Sequence, residues 1–138
     1  MAGLLLDTGA LYALADRDDK WHARMVAALE GRLGERVVPI TVLTEASYLL
    51  GTHLGIAAER RLIRATLEGE LLLEGVILLD LERADQLLHK YSDANIGLVD
   101  ATAVAIAERL GIRTVVTTDR RHFSLFRPKH CRAFELLP

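Results

Sequence analysis

The chain has 138 residues, 51% of them hydrophobic and only 5% aromatic, with 17 Lys+Arg against 19 Asp+Glu. That length suits one domain with one proper core, so residues 1–138 read as a single domain packed by aliphatic side chains. The single cysteine, Cys131, excludes an intrachain disulfide framework, no basic leader precedes an apolar run, and no apolar stretch approaches the ~18 residues of a membrane span. A cytoplasmic protein without a membrane partner is therefore expected.

The first residues, Gly3-Leu4-Leu5-Leu6, form an apolar run too short for a helix and read as a buried strand. A helix is predicted over 9–15, and Asp18 or Asp19 can cap a second one running to about Leu33. A strand over 36–40 leads into helices over 41–54 and 57–72, the second with an uncertain end because of Gly69. A third strand is expected over 76–79 and a helix over 82–91. Residues 98–110 make a further helix closed by Gly111, followed by a strand over 114–117 and a weak last strand near 132–134. Strands alternating with helices imply crossover connections and a three-layer α/β/α fold around a mostly parallel sheet of four to five strands.

The informative residues are carboxylates in apolar places. Asp7 follows Leu4-Leu5-Leu6, and Asp119 follows Val115-Val116-Thr117-Thr118, both at the carboxyl end of a strand, where open α/β sheets bind ligands. Each alone reads more readily as a turn residue or helix cap. Asp100 shares a helix face with Ala103, Val104 and Ala107, so an unpaired carboxylate there should take up a proton or find a cation. A cap in the first helical turn is its alternative. Glu45 is the only charged side chain between Arg36 and Glu59, with Val42 and Leu49 as helical neighbours, and this suggests a setting like that of Asp100. Its alternative is the third helical residue of a capping box led by Thr41.

Two of these acids sit at strand ends and two near the starts of buried helices, positions a crossover fold can bring to one sheet edge. Four carboxylates packed together cannot all ionise without positive charge among them. A hard divalent cation with oxygen ligands, Mg2+ or Mn2+, answers that need and supports hydrolysis of a phosphodiester.

At these residues the sequence resembles the PIN-domain nucleases, and among them the single-domain VapC-type toxins. Leu5-Leu6-Asp7-Thr8-Gly9-Ala10-Leu11 is similar to the first family motif and Thr44-Glu45 to the second. Leu98-Val99-Asp100-Ala101 is similar to the third, and Thr117-Thr118-Asp119-Arg120-Arg121-His122-Phe123 to the fourth. The resemblance implies a metal-dependent endoribonuclease with Asp7 and Asp100 as the most direct ligands and Glu45 and Asp119 completing the site. It also implies a possible further acid, Asp93, and supporting roles for Thr8 and Thr118 on ligand waters or phosphate. A homodimer held inactive by an antitoxin protein is the implied assembly.

The charge is unevenly spread. Residues 1–108 carry 10 Lys+Arg against 17 Asp+Glu, whereas residues 109–138 carry seven against two. Arg120, Arg121, Arg127, Lys129 and Arg132 are therefore the candidate RNA-phosphate contacts, with a solvated edge or an antitoxin face as the other reading. The five histidines, His122 among them, show no zinc-like spacing, and no Walker, dinucleotide-binding or nucleophile-elbow sequence is present. A haloacid-dehalogenase-type phosphatase would want a second Asp where Gly9 stands. A catalytically weak PIN-like module that binds RNA or protein remains as the non-enzymatic alternative.

Overall fold

Leu4–Leu6 form β1, and their side chains point alternately to the two faces of a sheet, as period-two geometry requires. A computed structural model of the chain, describing residues 3–138, puts Leu4 and Leu6 in one core and Leu5 in another. The first core is closed by α1 (Thr8–Ala15), α2 (His22–Glu30), α3 (Ile40–His53) and α4 (Ile56–Leu67). The second is closed by α5 (Leu78–Lys90), α6 (Leu98–Leu110) and α7 (Arg120–Leu125). Helices thus cover both faces, and the expected three layers are present.

The sheet comprises β2 (Arg36–Pro39), β3 (Leu72–Glu74), β4 (Thr114–Val116) and β5 (Glu135–Leu137) beside β1, in the order β3-β2-β1-β4-β5. All pairings are parallel. The two central strands β1 and β4 pair as Leu4↔Thr114, Leu5↔Val115 and Leu6↔Val116, so their carboxyl ends finish side by side. That register puts Asp7 level with Thr117. No helix of the described residues is long and apolar enough to cross a membrane.

Several boundaries differ from expectation. The third strand is Leu72–Glu74 rather than 76–79, because Gly69 (φ 83) ends the preceding helix and frees Leu72 and Leu73 to pair with Val37 and Val38. The 76–79 segment instead leads into α5 from its N-cap Ile77, whose N–H the Asp80 carboxylate accepts at 3.0 Å. The second helix starts at His22, since Asp16 and Asp19 spend their carboxylates on the turn amides of Asp18 and Trp21. The last strand lies at Glu135–Leu137, beyond the expected 132–134, in register with β4. The short helix α7 was not expected; Asp119 caps it by accepting the His122 N–H at 3.2 Å.

Candidate metal centre

Asp7 leaves β1 where its backbone N–H still donates to Val116 O at 3.0 Å, extending the parallel ladder by one residue. It stands at the N-cap of α1 yet makes no side-chain cap bond, which removes the capping alternative. The residue is 5% exposed. One carboxylate oxygen, Oδ2, accepts from Thr117 Oγ1 at 3.1 Å, while Oδ1 is buried without a hydrogen-bond partner among the described residues. Burial dominates its titration and, with the Asp100 and Asp119 charges, pushes the pKa up to about 7 against the lowering pull of the Thr8 amide and the Thr117 hydroxyl.

Asp100 lies in the first turn of α6, whose next seven residues, Ala101 to Ala107, are all buried. The cap of that helix is Gly97, with no side-chain bond, so Asp100 is not a cap either. Desolvation first, then the charges of Asp119 and Glu45, raise its pKa to about 6, with His122 acting in the opposite direction. Asp119 does serve as a helix cap, but only through Oδ1; its Oδ2 lies 2.8 Å from His122 Nδ1. That contact is a hydrogen bond in the histidine tautomer that carries its proton on Nδ1. The same Nδ1 is 3.9 Å from Asp100 Oδ2. Asp100, Asp119 and His122 each offer a ligand atom, all within 4.8 Å of one another.

Thr117 ties the two strand-end acids together. Its hydroxyl donates to Asp7 and accepts the Asp119 N–H at 2.8 Å, from a fully buried position. Neither Thr117 nor His122 stood among the candidate site residues of the sequence. The signal for Thr117 was available in the β1–β4 register, which no local pattern reveals; the signal for His122 was its spacing three residues after Asp119 on a short helix.

Glu45 corrects an expectation. Its apolar neighbours Val42, Ala46 and Leu50 face the core, and this turns Glu45 itself outward, exposed. It is near enough for its charge to raise the Asp100 pKa, so it stands at the rim of the cluster. The helix begins at Ile40 after Pro39, which puts Glu45 in the sixth position and eliminates the capping box. Thr8 is 7% exposed with an unpartnered Oγ1, and Thr118 presses so closely on Gly9 that a Cβ there would collide with its hydroxyl. The first turn of α1 is thereby held against the β4 loop.

Asp93 sits exposed in a 3-10 turn over Ser92–Ala94 and is not among the charges acting on Asp7 or Asp100. Arg120 and Arg121 are the first residues of α7, directly after Asp119, and both are exposed. The Arg120 guanidinium donates to the Pro138 carbonyl, whereas the Arg121 side chain has no hydrogen-bond partner among the described residues. Arg127 turns its guanidinium onto the Ser124 and Phe126 carbonyls at the end of α7. Lys129 gives its backbone N–H to Glu108 at 2.8 Å. Glu108 lies eight residues along α6 from Asp100, about 12 Å at the helical rise, so Lys129 flanks the far end of that helix. Arg132 is exposed.

A divalent ion fits these residues on structural grounds. A buried, partnerless carboxylate oxygen on Asp7 and two acids with raised pKa values are unfavourable as bare anions and favourable as ligands. The donors are mainly hard oxygens, suited to Mg2+ or Mn2+, and His122 Nδ1 is directed at Asp119 Oδ2.

The PIN domain family model matches residues 4–127. The chain is 34% identical over 135 residues to ribonuclease VapC26 of Mycobacterium tuberculosis, covering 98% of this chain and 100% of that protein. Its fold is similar to the crystal structure of Mycobacterium tuberculosis VapC20, a Sarcin-Ricin loop cleaving toxin, with a TM-score of 0.81 at 22% identity over 86% of this chain and 91% of that one. It is also similar to a chain of a toxin-antitoxin complex from Klebsiella pneumoniae, with a TM-score of 0.69 at 19% identity over 90% and 92% of the two chains. With its motifs in register, its acids gathered at one sheet edge and its length matched almost throughout, this chain belongs to the PIN-domain family.

Proposed function

We propose that this chain is a metal-dependent endoribonuclease acting as the toxin of a toxin–antitoxin pair in the cytoplasm. The observation that carries the reading is the convergence of Asp7, Asp100 and Asp119, with Glu45 at the rim, where no lysine or arginine side chain of the described residues bonds to them. Buried acids left without arginine or lysine are stable only when neutral or when a cation joins them.

Asp7 and Asp100 are the residues we assign as direct holders of Mg2+ or Mn2+, with Asp119 and Glu45 completing the set directly or through water. When bound, the ion supplies positive charge at a phosphoryl oxygen and acidifies an attacking water. The protein contributes the positions. Thr117 fixes the Asp7 carboxylate through Oδ2, leaving Oδ1 free to ligate. His122 holds Asp119 Oδ2 and thereby sets the direction in which that acid faces Asp100. Asp7 must lose its proton to ligate, so loading and ionisation are coupled. Thr8 and Thr118 are assigned to ligand waters or phosphate, and Arg120 and Arg121 to the RNA backbone beside the acids. Asp93, exposed and outside the coupled group, is assigned no part in it.

The ribonuclease name of the 34% identical relative supports RNA as substrate, and the toxin-antitoxin complex among the similar structures supports an antitoxin partner. A homodimer and action as one domain complete the proposed assembly. The test compares wild-type protein with Asp7→Asn and Asp100→Asn on total RNA, with Mn2+ or with EDTA. Cleavage that both variants and the chelator abolish is the expected result; cleavage surviving either treatment rejects the mechanism. Metal-stimulated RNA cutting also separates this reading from a PIN-like module that only binds.

A further inference from the structure

The chain has seven aromatic side chains, one Trp, three Tyr and three Phe. Six of them are occupied. Phe123, Phe126 and Phe134 are buried. Tyr91 stands edge-on to Phe126 with ring centroids 5.1 Å apart, and Tyr12 stands edge-on to His53. Trp21 packs partly into the first core beneath the Arg24 guanidinium, 4.0 Å above its ring. Tyr48 alone is 70% exposed, with no aromatic partner and no hydrogen bond among the described residues. An aromatic ring left bare in a chain so poor in them is conspicuous.

Tyr48 also borders the acids. It lies three residues after Glu45 on α3, hence on the same helix face. Together Ile40, Thr41, Thr44, Glu45, Tyr48 and Val99 line an open groove of about 490 Å3 between α3 and the start of α6. Glu45 lines the groove and its charge acts on Asp100, the residue after Val99, so the groove borders the acid cluster. Its threonine hydroxyls are already engaged: Thr44 donates to Ile40 O at 2.7 Å, and Thr41 pairs with Thr102 at 2.8 Å. The groove therefore presents apolar walls and an aromatic ring, with few free donors.

We propose that Tyr48 is a stacking platform for the nucleobase beside the scissile phosphate, and that the groove between Tyr48 and Val99 receives that base. The inference rests on the ribonuclease reading above. Its occupant is a base of single-stranded RNA because the groove borders the acids through Glu45, and a nucleotide held at the acids by its phosphate must place a neighbouring base within reach. Single-stranded RNA is gripped by stacking unpaired bases on exposed aromatic rings. With its threonine hydroxyls engaged, the groove grips a base by its face and discriminates little between base edges.

The test measures binding of a fluorescein-labelled oligoadenylate of about ten nucleotides by fluorescence anisotropy. It uses the Asp7→Asn background, so that the probe is not cut, with Tyr48→Ala, Tyr48→Phe and Tyr48→Trp added in turn. Tyr48→Ala is expected to weaken binding roughly five- to a hundredfold, the loss typical of one stacked base, while Phe and Trp keep it near the parent value. Thermal unfolding of each variant verifies folding, and Phe, which retains the ring, isolates stacking from any packing change. No binding by the parent, or equal binding by parent and Ala variant, overturns the inference. So does a Tyr48→Ala protein whose sedimentation changes while its RNA affinity does not, since the groove would then belong to a protein partner. RNA cleavage by the wild-type chain is scored separately, so a nuclease indifferent to Tyr48→Ala removes the platform and leaves the nuclease standing.

Discussion

The two ends of α6 carry acids in opposite circumstances. At the far end, Glu108 is bonded by Arg83 at 2.7 Å and by the Lys129 amide, and its pKa is held below the usual carboxylate range chiefly by that arginine, against the desolvation that raises it. Next to it, Arg109 binds Asp80, which is 2% exposed, at 2.9 Å, and also reaches Glu74. At the near end, Asp100 meets two other acids and a histidine, and its pKa is raised to about 6. The same helix, within about 12 Å, thus holds one acid bonded by an arginine and another that has only His122 nearby and no arginine or lysine. A buried carboxylate with its own guanidinium is part of the architecture, and one without is what the proposed metal site requires.

The sharpest way to break that comparison is to neutralise each end in turn. Asp7→Asn and Asp100→Asn should lower RNA cleavage by about a hundredfold or more. Neither should reduce the melting temperature in EDTA, since each removes a charge that burial disfavours. Arg109→Ala should do the reverse, retaining metal-dependent cleavage under conditions where it stays folded. It should destabilise by roughly 3 kcal/mol in urea unfolding because Asp80 is left buried and unpaired. Similar stability losses from both kinds of substitution would erase the distinction.

The pH dependence sharpens it further. Asp7 titrates near 7 in the folded protein against 3.8 as its ordinary value, so between these the native state holds a proton that the unfolded chain has lost. The Asp7 contribution to the stability of metal-free protein therefore falls as pH rises from about 4 to about 7 and is level above that. Asp100 adds the same sign up to about 6. Glu108 and Glu135, with lowered pKa values, contribute the opposite slope, losing stability as pH falls. Thermal unfolding across this range should show the Asp7 slope flattened in Asp7→Asn. The added stabilisation by Mn2+ should grow with pH as the metal competes with fewer protons. A metal effect independent of pH would contradict the proton–metal exchange.

The smallest effect expected is that of the linking hydroxyl. Thr117→Val keeps the shape of the buried side chain but removes the donor to Asp7 and the acceptor for the Asp119 N–H. Mn2+ affinity measured by calorimetry should fall about tenfold, the lower end of what an outer-shell partner contributes. An unchanged affinity would show that Asp7 needs no such orientation.

How much of this was legible beforehand depended on whether the signal was local. The apolar runs of β1 and β4, the buried stretch of α6 and its Gly111 stop are properties of neighbouring residues, and they were read at nearly their observed bounds. Asp7, Asp100 and Asp119 were conspicuous for the same reason, a charge set against an apolar background. Glu45 was misjudged by the identical logic, because an apolar surrounding in sequence does not say which helix face meets the core. Leu72 falls at the end of the helix expected over 57–72, for want of the partner strand that makes it β.

The sequence by itself determined the fold class, the family and the acids at the strand ends, since hydrophobic periodicity and motif order are written residue by residue. Only the tertiary structure decided that Thr117 bridges Asp7 and Asp119, that His122 turns toward them, and that Glu45 and Tyr48 face outward along a common groove. Those facts arise from strand register and helix rotation, which are set by contacts between segments as many as 110 residues apart.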